Sequence, residues 1–473
     1  MIDRTMRGLS SAAAVFLLTA CASAPPDGAF GPAFVPDVDP PRNAQPFAAS
    51  GEVRVLAEKG ASFETTVAVS PQNASQAVVG VISTAAPRGV DVYTTHDGGL
   101  TWTSGSRLPN QATNGRTYAT SQGDPVVAAD RLGMFHMTAL MSSGVPPRFT
   151  AVTAMRSIDG GLTWSAPIVV AELQVVANDR EFDDKQWLAV DDTGGAYDGH
   201  VYLFWQRIRF SGASLQSRMT FARSPDRGLT WSEPAMLTEP APSGQSMIAV
   251  GPEGEVHVAY ARNDGHFIRT STDGGVTFSD PVRVPVLPWI GGVIPNTGNA
   301  QFKAFPTLLC DRSSGPHRGN LYVVISTSTT STRQTTVGGA AITRSTDGGR
   351  TWSAPRMIST PTTGDAIFPS GAVDQTNGDL VITWLDRRDD PANTLARLYA
   401  TRSRDGGTTF DEPRGFSPPF SIDADWIGDY YGVSGHAGKW IATFSPASGQ
   451  MSSVVLRFDE EQPAGPKRRA VRK

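Results

Sequence analysis

One octapeptide pattern occurs six times along this chain and constrains its fold more than any other feature. Thr95-His96-Asp97-Gly98-Gly99-Leu100-Thr101-Trp102 recurs as Ser157 to Trp164, Ser224 to Trp231, Ser271 to Phe278, Ser345 to Trp352 and Ser403 to Phe410. The shared pattern is S/T-x-D-x-G-x-T-W/F. A glycine two places after the aspartate allows the positive φ that a tight hairpin needs. The aspartate carboxylate accepts bonds from turn amides. The threonine suits a strand, and the aromatic residue returns to pack on the sheet. A hairpin repeated in every unit is what an array of like units requires. Asp97, Asp159, Asp226, Asp273, Asp347 and Asp405 are therefore assigned to turns rather than to metal binding or catalysis.

Two further strands recur upstream of each hairpin. The first is apolar and usually ends in aspartate, as in Val126 to Asp130, Leu188 to Asp191, Leu308 to Asp311 and Gly371 to Asp374. The second alternates, as in Val201 to Trp205, Val256 to Tyr260, Leu321 to Val324 and Leu380 to Trp384. A third strand runs into the hairpin and a fourth leaves it. Four antiparallel strands per unit make a blade of an all-β propeller. No segment between residues 51 and 460 carries a convincing helical period. The surplus of 48 Gly and 35 Pro fits the many turns this demands.

Six hairpins give six blades, but strands remain. Trp426 to Val433, Lys439 to Phe444 and Ser453 to Phe458 read as three strands of a further blade that lacks its fourth. Val53 to Leu56 near the N-terminus is a strand without a blade. Pairing the two ends closes the ring and leaves no open edge. Seven blades are favoured, with six as the alternative.

The repeated turn resembles the Asp-box (BNR repeat) of sialidases and related propellers, and the resemblance covers residues 51 to 460. It implies a site around the propeller axis, with arginines clamping a substrate carboxylate, an aspartate acid/base and a tyrosine nucleophile activated by a carboxylate. In such a fold the starts of the innermost strands and the loops after the second strands share one face. That face receives Glu64, Asp124, the run Asp179 to Lys185, Lys303, Asp365, Asp423, Asp425, Arg207, Arg262, Asp264 and the run Asp386 to Asp390. Asp124 or Asp183 is the candidate proton donor, and Tyr430 or Tyr431, beside Asp429, the candidate nucleophile. Arg180, Arg207, Arg387 and Arg388 are the candidate carboxylate ligands. The run around Arg387 also reads as a self-paired salt-bridge network, and either tyrosine as a packed strand residue. The family's early Phe/Tyr-Arg-Ile/Leu-Pro motif is absent around Phe63 to Val69.

The N-terminus is an address. Arg4 and Arg7 precede a short apolar run, Ser11 to Thr19, well below the about 20 residues that span a bilayer. Leu18-Thr19-Ala20-Cys21 resembles a bacterial lipobox, which makes Cys21 the lipidation site, residues 1–20 the signal peptide and 21–50 a proline-rich tether. Residues 461–473 form a basic tail. The implied setting is the cell envelope, at the outer membrane or facing the periplasm. Cys310, the second of 2 cysteines, reads as a buried apolar residue, which excludes a disulfide framework.

The 41 basic and 45 acidic residues leave a net charge of −4, which offers no electrostatic grip on nucleic acid. Two functions follow. One is a lipid-anchored sialidase-like glycoside hydrolase acting on acidic carbohydrate. The other is a non-catalytic surface propeller binding a glycan or protein partner. Both take the chain as a monomer without cofactor, a structural calcium ion in the axial channel being the one metal considered.

Overall fold

The computed structural model describes residues 52–458 apart from short loop stretches such as 57–61, 329–337 and 447–451. The Cys21 lipidation site, the tether and the basic tail lie outside the described residues. Strands alone make up the regular structure there, arranged as seven antiparallel sheets around one axis, six of four strands and that of blade 6 with Phe420–Ser421 as a fifth, and one short two-stranded hairpin lies between blades 4 and 5. Innermost strands of blades 1 to 6 are Ser62–Val69, Ser121–Ala129, Arg180–Val190, Ser243–Val250, Thr307–Cys310 and Ala366–Val373. Blade 7 comprises Val433–His436, Lys439–Phe444, Ser452–Leu456 and, from the other end of the chain, Glu52–Val55. Glu52 pairs with Val455 and Val55 with Ser452, so both termini close the ring.

The last innermost strand is shorter than the sequence suggests. Its ladder runs from Val433 to His436, so only the last residue of the Trp426 to Val433 segment belongs to it. Gly428 has φ 97°, and a Cβ on Gly432 would stand 2.8 Å from the backbone N of Val67. That stretch is backbone pressed against blade 1, where a regular pleat has no room.

The Asp-box turns are built as their composition requires. Asp97 Oδ1 accepts from the amides of Leu100 and Thr101 at 3.0 and 2.9 Å, and Oδ2 accepts from Thr101 Oγ1 at 2.5 Å. These bonds favour the ionised form, and the Asp97 carboxyl is lowered to about 2. The glycine does a second job that its φ alone does not reveal. A Cβ on Gly161 would lie 2.4 Å from Val78 of the preceding blade, and one on Gly275 2.7 Å from Phe221. Each box is therefore a contact between neighbouring blades as well as a turn.

Residues closing the innermost strands also tie blades together. Asp130 Oδ1 accepts from the amides of Leu132 and Met134, while its Oδ2 pairs with Arg227 of blade 3 at 2.6 Å. Asp374 accepts from the amides of Ala437 and Gly438 in blade 7 at 3.2 and 2.6 Å. Cys310 is buried, and burial pushes its thiol up to about 12.

Deleting residues 1–56 should leave Ser452–Leu456 as an unpaired edge. Thermal melting should fall by several degrees relative to a protein beginning at residue 51, with aggregation on heating. Equal melting temperatures would mean that the terminal strand does not close the ring.

Candidate functional site at the mouth of the axial channel

The innermost strands converge on a cavity of about 260 Å³ along the axis, walled by small apolar residues such as Val67, Ala128, Ala249 and Ala372. Toward one end it meets the Asp192–Arg312 ion pair, at 2.6 Å, and His436. Polar chemistry gathers where these strands begin. Cross-strand pairs Asp183–Arg207 and Ala366–Asp386 confirm that strand starts and second-strand ends share a face.

Each of five innermost strands is interrupted by a register shift at its start, between Phe63 and Thr66, Gly123 and Val126, Asp184 and Trp187, Gly244 and Met247, and Ile367 and Ser370. A bulge of this kind takes one residue out of the pleat and re-aims its side chain. Glu64, Asp124, Lys185 and Phe368 occupy this place with φ of 52, 48, 54 and 54°. Left-handed backbone at non-glycine residues is strain of order 1 kcal/mol, of the sort found where side chains are positioned for a task.

Three of those residues meet. Lys185 Nζ lies 3.0 Å from Glu64 Oε1, 3.1 Å from Asp124 Oδ2 and 2.7 Å from Asp429 Oδ2. One ammonium thus joins carboxylates from blades 1, 2 and 7 to blade 3. The backbone beneath is fixed as well: Gln186 Nε2 donates to Asp124 O, and Ser246 Oγ donates to Lys185 O. Glu64 and Asp429 side chains are 1% and 3% exposed, whereas Asp124 and Lys185 are 14% and 11% exposed.

Three carboxylates share one ammonium in this buried setting. Desolvation, with Asp124 and then Asp429 adding to it, raises the Glu64 carboxyl well above its ordinary 4.5, although Lys185 opposes the shift. Glu64 Oε2 is buried and faces no donor, but a proton there makes it one, with the neighbouring Asp124 carboxylate as acceptor. Burial works against the Lys185 ammonium, yet Asp124, Asp429 and Glu64 outweigh it and hold its pKa well above 10.5. Among the described residues, no group of three or more His, Cys, Asp or Glu is arranged to hold a metal ion. The point on which these carboxylates converge is taken by the ammonium.

The other candidates are placed around this cluster. Tyr430 stands beside it: its hydroxyl donates to Pro125 O at 2.9 Å and its ring meets Trp187 edge-on at 5.3 Å. Tyr431 donates to Ile427 O at 2.7 Å and packs on Phe368. Burial, then the nearby carboxylates, raise both phenols. Asp183 is held by Arg207 through Nε at 2.8 Å and Nη2 at 2.9 Å, and by Trp205 Nε1 at 2.8 Å. Arg388 bonds Asp386 at 2.7 Å and stacks 4.8 Å from the Tyr399 ring centre. Arg387 bonds Asp365 at 3.0 Å, its remaining Nε and Nη2 being buried without partners. Asn393, bonded to the same Asp365 oxygen, leaves its Oδ1 equally unpaired, a grouping of donors and acceptor suited to ordered water. Arg180 opens the blade 3 strand opposite Phe210, and its side chain lies outside the described residues. Only Asp124 of the nominated residues joins the axial cluster, with Tyr430 adjoining it. Its partners Glu64 and Lys185 carry a sequence signal too. Glu64, Asp124 and Lys185 each stand six residues before the residue that closes their strand (Ser70, Asp130, Asp191).

A raised carboxyl pKa makes the fold bind a proton that the unfolded chain releases above about 4.5. Its contribution to stability is full below that pH and is lost as pH rises toward the folded value. Glu64→Gln keeps the protonated shape without this loss. Its melting temperature relative to wild type should therefore climb between pH 4.5 and 8. A constant difference across that range would mean that Glu64 is ionised in the fold.

No family model matches the chain. A sialidase from Micromonospora viridifaciens is 31% identical over 136 residues, which is 27% of this chain and 21% of that protein. The chain thus matches about a fifth of that relative's length. Among solved structures, the BP39L lectin from Burkholderia pseudomallei superposes with a TM-score of 0.53 at 11% identity, over 84% of this chain and 96% of the lectin. The Hadza microbial sialidase Hz136 gives a TM-score of 0.46 at 16% identity, over 82% and 74% of the two chains. With six Asp-boxes and a closed seven-bladed ring, the chain is an Asp-box β-propeller, and one segment of it is similar to a sialidase.

Proposed function

We propose that this propeller binds glycan at the mouth of its axial channel, and that a lipid on Cys21 holds it to the cell envelope. The carrying observation is the cluster of Glu64, Asp124, Asp429 and Lys185, in which Asp124 and Lys185 are the more exposed members. An ionised carboxylate and an ammonium side by side accept from and donate to sugar hydroxyls with charge-assisted bonds. Kinship with a sialidase over 136 residues supports a carbohydrate ligand. The reading favours binding over sialidase chemistry because Arg207, Arg387 and Arg388 each pair with a carboxylate of their own blade. The phenols of Tyr430 and Tyr431 likewise donate to backbone carbonyls.

A second reading rests on one feature of the same site. Burial and the neighbouring carboxylates raise the Glu64 carboxyl beside Asp124, and a raised carboxyl next to a second one is the pattern of the acid in glycoside hydrolysis. A glycan array together with fluorogenic glycosides, sialosides included, separates the two. Binding without turnover, weakened at least about tenfold by Asp124→Asn, is the expected result. Turnover abolished by Glu64→Gln would establish the hydrolase instead, and neither binding nor turnover would overturn both.

The anchor has its own test. Cys21→Ser should move the protein from the membrane to the soluble fraction and abolish incorporation of labelled fatty acid. Unchanged membrane association would remove Cys21 as the anchor.

A further inference from the structure

The third strand of each of blades 1 to 6 ends on the first residue of its Asp-box. Val190, Val201 and Ser224 lie level across blade 3, so these hairpins share a face with the turns that follow the innermost strands. Glu64, Asp124 and Lys185 stand at the other ends of those strands. Of the ten large apolar side chains that the described residues leave exposed, six lie on the Asp-box face: Leu100, Leu132, Ile158, Leu162, Leu229 and Val276.

Four of the six hold one place in the hairpin, between the glycine and the threonine, in blades 1 to 4. Blades 5 and 6 put Arg350 and Thr408 there. The turn does not require an apolar residue at that place, because it uses only the backbone amide. Leu100, Arg350 and Thr408 each donate that amide to the aspartate of their box at 3.0 Å. An exposed arc of leucine and valine that its own turns do not need points to something that covers it.

Both ends of the folded chain leave at this face. Glu52 pairs with Val455 beside the Leu456 end of the blade 7 third strand, and Arg54 Nε donates to Leu100 O at 2.9 Å. Cys21 stands 31 residues before Glu52 (52−21). A chain of that length spans about 100 Å at most. Lys467, Arg468, Arg469, Arg472 and Lys473 all follow Leu456 within 17 residues (473−456).

We propose that the Asp-box face of blades 1 to 4 lies against the bilayer that holds the Cys21 lipid. Its leucines and valine enter the headgroup boundary, and the basic run meets anionic headgroups. This rests on the Cys21 anchor proposed above. A lipid surface takes separated apolar side chains one at a time, whereas a protein partner needs a continuous, closely packed patch. Confinement by the anchor raises the effective concentration of the face at the bilayer, so weak contacts suffice. Box carboxylates stand on this face too, but their oxygens are spent on their own turns, as those of Asp97 are. The Glu64 cluster then faces away from the membrane.

The test uses the full lipidated chain reconstituted in vesicles of equimolar phosphatidylethanolamine and phosphatidylglycerol. The fluorophore NBD is attached through Leu162→Cys on this face and, in a second protein, through Leu395→Cys, which opens a third strand on the opposite face. Cys310 is buried and takes no label. Val276→Cys replaces Leu162→Cys should melting show that the latter does not fold. The label at the Leu162 position should emit at shorter wavelength and be quenched by spin-labelled lipid, and the label at the Leu395 position should do neither. Adding Leu100→Ser, Leu229→Ser and Val276→Ser to Leu162→Cys should remove most of that quenching while the chain stays vesicle-bound. Equal emission and quenching at the two positions of a vesicle-bound chain would overturn the docking and keep the anchor. A wavelength shift without lipid quenching would put protein on this face and overturn the bilayer as its cover. A chain that stays off the vesicles would overturn anchor and docking together.

Discussion

Everything at the axis depends on the short ladder that joins Glu52–Val55 to Ser452–Leu456. Asp429 enters with blade 7, Glu64 with blade 1 and Lys185 with blade 3, so the three meet only when the ring is closed. The ladder in turn is one strand among four in its sheet, and cannot hold two chain ends alone. It is helped by contacts that cross blades elsewhere, including Asp374 on the Ala437–Gly438 turn and Thr443 Oγ1 donating to Thr65 Oγ1 at 2.8 Å. Closure and site assembly are therefore one event, and a partly open ring has no cluster.

The fold was far more legible in the sequence than the site. Asp-boxes are local: backbone amides and one carboxylate within five residues make the turn, so the octapeptide announces it wherever it stands. Closure could also be read, because a leftover strand at each end is a deficit with one economical solution. The site is the opposite kind of object. Its carboxylates come from positions as far apart as 64 and 429, and only strand register sets Glu64 apart from the other acids of its face. The arginine run Asp386 to Asp390 drew attention because its charges are adjacent in sequence. In the fold those charges serve blade 6, through Asp386 with Arg388 and Asp389 with Arg397. Register was the signal that mattered, since counting back from the end of each innermost strand lands on Glu64, Asp124 and Lys185 alike.

Burying an ammonium among three carboxylates is a poor way to gain stability. Desolvation of such groups costs several kcal/mol each, and well-packed apolar residues often do as well or better. Substituting one partner is worse, because the others are left buried and uncompensated. The cluster is thus costly, strained at three backbone positions and placed where the innermost strands begin. Those features together weigh for a role in recognition over a role in holding blades, which the Asp-box glycines and Arg227 with Asp130 already perform.

The bulges have one more consequence. A side chain at a bulge stands outside the alternating pleat, so exchanging it disturbs neither the ladder on one side nor the packed sheet on the other. Here the same backbone socket already carries glutamate, aspartate, lysine and phenylalanine in different blades. The propeller is in effect a fixed frame around a ring of interchangeable fittings. Ligand preference in such a frame can be rewritten one blade at a time, leaving the strands that build the ring untouched.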